Sequence, residues 1–148
     1  MVVASKDPPT ADLAETDAWL RDLCRELGGD DRRYAWNVMA GFLHALRDRL
    51  ASDDVVRLAA ELPGPLSGAV YGGWWPGQRP EVYTDAESFA ARVAQYARLM
   101  GGDETRAATD AAWAVLSRRV GRDELAAVLD ALPDEVTTRV KQRTLRSR

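Results

Sequence analysis

The sequence predicts an all-α fold: two pseudo-symmetric helical repeats packed as one bundle-like domain. Three observations carry that expectation. Apolar residues recur at three- and four-residue spacing along most of the chain. No stretch sustains the apolar/polar alternation of a half-buried strand. And the chain repeats itself: LRDRLASDDVVRLAAELP from Leu46 aligns with LSRRVGRDELAAVLDALP from Leu116. At one constant offset Leu46 matches Leu116, Arg49 matches Arg119, Asp53 matches Asp123, Leu62 matches Leu132 and Pro63 matches Pro133. Upstream, LGGDDRRYA from Leu27 matches MGGDETRAA from Met100 at an offset three residues larger. Self-similarity of this extent points to two copies of one helical unit.

The first repeat is expected over residues 12–71, behind a flexible N-terminus at 1–11. Its first helix starts near Asp12 or Thr16 and carries Trp19, Leu20, Leu23 and Leu27 at helical spacing. Gly28 and Gly29 stop it. Asp30 is positioned to cap a second helix with Ala35, Val38, Met39, Phe42, Leu46 and Leu50 on one stripe. Ser52 is the expected cap of a short third helix, which turns Val55, Leu58, Ala59 and Leu62 inward. Pro63 and Pro65 end that helix and start a fourth through Leu66 and Val70.

The second repeat is expected over residues 84–142. Thr84 and Glu87 have the spacing of a capping box for a helix carrying Phe89, Val93, Tyr96 and Met100. Gly101-Gly102 then stops it, and Asp103 caps a helix with Ala108, Ala112, Val115, Leu116 and Val120. A short helix holds Leu125, Val128 and Leu129, and Pro133 heads a last one through Val136 and Val140. The basic tail is 143–148. Between the repeats, residues 72–83 hold clustered glycine and proline that forbid regular structure, and two of the five tryptophans.

Composition narrows the function. The chain has 148 residues, enough to bury roughly 70% of its unfolded surface without covalent staples. Cys24 is the only cysteine, so no intrachain disulfide forms, and with the single His44 it cannot make a Cys/His zinc site. No cofactor is expected. The N-terminal MVVASKDPPTADLAETDAW lacks the basic-then-apolar pattern of a secretory signal, and no apolar run nears the roughly 20 residues of a membrane span. A cytoplasmic protein without a membrane partner is expected. A net charge of -3 argues against nucleic acid as a partner, since phosphate binding needs clustered cations in excess.

The pieces GGDDRRYAWNVMAGFLHALRDRLASDDVVRLAAELP, YGGWWPG and FAARVAQYARLMGGDETRAATDAAWAVLSRRVGRDELAAVLDALP resemble the bacterial family catalogued as domain of unknown function 2267. The similarity lies in an L-x-R-[LI]-x-x-[DG]-[ED]-type turn after a helix, a Leu-Pro terminator, and a Gly-Trp-x-Pro segment between halves. It covers the chain from about Trp19 to Val140 and departs in the doubled Trp74-Trp75 before Pro76. The resemblance implies an all-helical fold and supplies no activity, substrate or catalytic residue.

Candidate sites are few. Tyr71, Trp74, Trp75, Arg79 and Tyr83 cluster on or beside the connecting loop, and aromatic residues with an arginine dominate contact energies at interfaces. Adjacent side chains in an extended loop point apart. Trp74 is therefore expected to pack and Trp75 to make contact. Arg49 with Asp53, and Arg119 with Asp123, straddle equivalent turns; they read as structural pairs, with the arginine bridging to the carboxylate or to the carbonyls ending its own helix and the aspartate favouring the next N-terminus. His44 has Asp48 one turn ahead as its expected partner, with no Ser or Cys nearby to complete a nucleophilic set. Cys24 reads as a packing residue. The expected function is a non-enzymatic interaction or adaptor module with a protein partner, self-association remaining open. The alternative is a small-ligand binder or enzyme using a cleft between the repeats.

Overall fold

The structure is a computed structural model and describes residues 7–146. Among them it forms eight α-helices and no strand: α1 (Asp7–Leu27), α2 (Arg32–Arg49), α3 (Ser52–Ala60), α4 (Gly64–Tyr71), α5 (Ala86–Ala97), α6 (Gly102–Arg119), α7 (Arg122–Asp130) and α8 (Asp134–Arg146). The inner helices match in length between the halves, α2 and α6 with 18 residues each and α3 and α7 with nine each, while α1 and α5 have 21 and 12 and α4 and α8 have 8 and 13.

Several boundaries differ from the sequence expectation. α1 begins at Asp7, with Pro8 and Pro9 in its first turn, where helical backbone does without their N–H groups. The expected flexible N-terminus is thus helical from Asp7, and residues 1–6 lie outside the described residues. Of the expected tail, 143–146 continue α8, and 147–148 lie outside the described residues.

The caps shift as well. Asp31, not Asp30, caps α2 by accepting from Tyr34 N at 3.1 Å, because the turn after α1 carries the chain one residue further. That turn closes with Gly28 and Gly29 N–H donating to the Cys24 carbonyl at 2.9 and 3.1 Å. The capping box of α5 is Asp85 with Ser88, one position beyond Thr84 and Glu87. α5 stops at Ala97, with Arg98 in the left-handed region at φ 59°, so Met100 leaves the expected stripe and is 93% exposed. Gly101 rather than Asp103 occupies the cap position of α6. Ser52 is the first residue of α3, and its hydroxyl serves the connecting loop instead.

α2 is the central helix, buried on nearly every side over its second half. It packs most extensively along α5, and also on α1, α4 and α6. The rings of Phe42 on α2, Phe89 on α5 and Trp113 on α6 meet edge-on or tilted at 4.9–5.9 Å, the preferred aromatic geometry. One continuous apolar cluster draws on both halves.

The packing pairs come in equivalents, a pattern compatible with the duplication. α1 packs on α6 as α5 packs on α2; α1 on α2 as α5 on α6; α2 on α4 as α6 on α8; α3 on α4 as α7 on α8. The broadest seam without a counterpart is on α1. α1 packs along α4, whereas α5 and α8 have no comparable contact.

Candidate functional site

The connecting segment runs from residue 72 to 85, and the end of α2 ties it down. Arg47, buried on α2, donates to the carbonyls of Val70, at 2.8 Å, and Gly72 at the end of α4. Further along, Gly77 N donates to Ser52 Oγ at 2.7 Å, Glu81 N to the Asp48 carbonyl at 2.7 Å, and Tyr83 Oη to the Ala45 carbonyl at 2.8 Å. α5 adds an ion pair from Arg92 to Glu81.

Within these anchors, residues 75–78 form a closed turn. Gln78 N donates to the Trp75 carbonyl at 3.2 Å, and Trp75 N donates to Gln78 Oε1 at 3.1 Å. Gly77 has φ 82°, a conformation that disfavours any side chain. Trp75 stands on this turn 73% exposed, while Trp74 is half-buried against the core with its ring 5.7 Å from Tyr71. Tyr71 is 40% exposed and Arg79 is exposed on the same segment.

Tyr83 does not join them. It is 9% exposed, edge-on to Phe89 at 5.4 Å, and its hydroxyl is consumed by Ala45, so it is an anchor and not a contact residue. Burial pushes the Tyr83 hydroxyl well above its ordinary value, which keeps it a donor.

Beneath the loop lies a polar cluster that hydropathy patterning passed over. Asp48 is buried, accepts from Tyr96 Oη, and lies 3.2 Å from Arg47 Nε and 3.5 Å from Arg92 Nε. The available signal was positional: Arg47 falls one turn after Leu43, where an apolar residue would continue the buried face. His44 does not pair with Asp48. Its Nε2 donates to the Ala69 carbonyl at 2.7 Å and its ring packs edge-on to Tyr96 at 5.1 Å.

The duplicated turn residues are placed but not paired as expected. Arg49 Nε donates to the Ala131 carbonyl at 2.7 Å, on the end of α7 rather than its own helix. Arg119 Nε reaches Asp22 Oδ2 on α1 at 3.2 Å, its guanidinium 5.7 Å from the Trp19 ring. Asp53 and Asp123 stay exposed in the first turns of α3 and α7, where a carboxylate complements the helix dipole. Each arginine therefore ties its helix to the opposite half. Cys24 is buried, and burial pushes its thiol up, as suits an inert packing residue.

No helix among the described residues is long and apolar enough to cross a membrane. A family model described as an uncharacterized conserved protein, domain of unknown function 2267 (DUF2267), matches residues 16–138. The chain belongs to this family. No curated protein matches it. In this DUF2267 chain the matched span takes in most of α1, all of α2 to α7 and the whole tethered loop, so the tryptophan turn lies inside the family's domain.

Proposed function

We propose that the protein is a non-enzymatic, cytoplasmic interaction module whose contact surface is the tip of the connecting loop. One observation carries the reading: Trp75 is 73% exposed on a turn that is hydrogen-bonded to α3 and whose flanks are hydrogen-bonded to α2. A tryptophan held in water forgoes the burial of roughly 150–250 Å² that the core offers it. A rigid mount also lowers the ordering cost of association. Tyr71 and Arg79, exposed on the same segment, extend the surface with residue types enriched at binding hot spots. A protein partner fits this chemistry.

The alternative, a ligand cleft between the repeats, has less support. The main seam between the halves, α2 along α5, is closed so tightly that a Cβ added to Gly41 would lie 2.9 Å from Ala97. The test is capture from the native cell extract with wild-type protein and with Trp75→Ala. The expected result is a partner retained by wild type and lost from the variant, with an unchanged melting temperature. Equal capture by both proteins, or an unfolded variant, contradicts the reading.

A further inference from the structure

The missing seam between α5 and α8 is filled by a cavity of about 390 Å³, bounded by α5, α6, α8 and Asp85, the last residue of the connecting segment, and taking no residue from the tryptophan turn at 75–78. The first half shows why it is open. There α4 begins Gly64-Pro65, and its glycine lies so close to α1 that an added Cβ would stand 2.6 Å from Asp12 Oδ2. At the offset that matches Pro63 with Pro133, Asp134 replaces Gly64, Glu135 replaces Pro65 and Arg139 replaces Ala69. Larger, charged side chains stand where the first half has small ones, and the helices remain apart.

We propose that this cavity binds a small organic amine with an aromatic or branched apolar body. Its floor is Phe89, Trp113, Val136 and Val140, each no more than 4% exposed. Its volume falls in the range of about 300–1,000 Å³ typical of small-molecule sites.

The charge of the wall selects the ligand. Both arginines are already engaged: Arg139 holds Asp110 through two bonds of 2.8 and 2.6 Å, and Arg106 pairs with Asp103 at 3.1 Å and Glu87 at 3.7 Å. Among the described residues, Asp85 and Glu135 have no such cation. One Asp85 oxygen caps α5 through Ser88 N at 2.7 Å, and Glu135 Oε1 accepts from Ala86 N at 3.4 Å, which leaves the second oxygen of each for a ligand. Thr109 also lines the cavity; it is 7% exposed and its hydroxyl has no hydrogen-bond partner among the described residues. An ammonium group supplies donors to the two carboxylates, and its apolar body covers the aromatic floor.

The experiment is a titration of the full-length ¹⁵N-labelled chain with phenethylamine and, separately, with 3-phenylpropionate, followed by amide chemical shifts. The amine is expected to move Ala86, Phe89, Thr109 and Val136 and to bind at least about tenfold more tightly than the acid. Glu135→Gln is expected to weaken the amine about tenfold with its spectrum otherwise preserved. Ala90→Phe, which fills the cavity from α5, is expected to abolish the shifts. Equal or tighter binding of the acid, shifts that survive Ala90→Phe, or no shifts with either compound overturns the proposal. In that last case the carboxylates serve only the N-termini of α5 and α8. The loop reading is untouched by any of these results.

Discussion

Gly41 on α2 and Ala97 on α5 mark a tight approach of the two halves: a Cβ at position 41 would stand 2.9 Å from both Cβ and N of Ala97. The neighbouring atoms belong to a short side chain and to backbone, so they cannot swing aside. Alanine is ordinarily the better helix former, by about 1 kcal/mol. Here overlap outweighs propensity. Gly41→Ala is expected to destabilise by about 1–3 kcal/mol, and Gly41→Val by more, in urea unfolding. A stabilised alanine variant would mean that the halves sit further apart.

Leu46 and Trp75 should respond oppositely to truncation. Leu46 is fully buried where both halves meet, so Leu46→Ala is expected to cost about 2–5 kcal/mol. Trp75→Ala is expected to stay within about 0.5 kcal/mol of wild type in the same denaturation, because its side chain covers little of the core.

Arg47 is expected to control the loop. Arg47→Met removes the donor to the Val70 and Gly72 carbonyls, at an expected cost of about 1–3 kcal/mol. Hydrogen exchange should then accelerate at Gly77 and Glu81, whose amides report the loop's attachment to α3 and to α2. Unchanged exchange there would show that the loop holds its shape without Arg47.

His44 sets an acid limit on stability. Burial holds its imidazole below the ordinary value and Arg47 adds to that, while the Ala69 carbonyl and Asp48 pull the other way. The unfolded chain therefore takes up this proton at higher pH than the folded chain does. The contribution is complete above about pH 6.5 and is lost as the pH falls from there through the folded value. With one histidine in the chain, thermal melts from about pH 7.5 to 5.5 should show a declining melting temperature that flattens in His44→Gln. Glu124, pushed up by burial and by Asp54 and Glu61, works in the opposite sense and is common to both proteins. Parallel slopes would remove His44 as the cause.

Helix placement was legible because the buried stripes follow backbone periodicity. Val38, Met39, Phe42 and Leu46 recur as a helix demands, and the Leu-Pro terminators close α3 and α7 where they were read. The different fates of Trp74 and Trp75 followed from local geometry alone. Tyr83 escaped sequence reasoning because its position is set by Phe89 and the Ala45 carbonyl, partners remote in the chain. Arg49, Arg119 and His44 escaped for the same reason, each bonding to another element. The caps of α2 and α5 slipped by a residue because adjacent polar residues could serve and the preceding turn decides among them, whereas those of α3 and α6 fall on Ala51 and Gly101, which no polar signal marks. The cavity was not legible because it arises where the copies differ, with Asp134, Glu135 and Arg139 standing against Gly64, Pro65 and Ala69, and its walls meet only in the fold.

The most direct test of the account is photo-crosslinking in the native cell with a photoreactive residue at position 75. The control places the same residue at Met100, which is even more exposed but lies outside the connecting loop, in the turn between α5 and α6. The account predicts a discrete protein adduct from position 75 and none of that mass from position 100. No adduct at 75, or the same products from both positions, would contradict it.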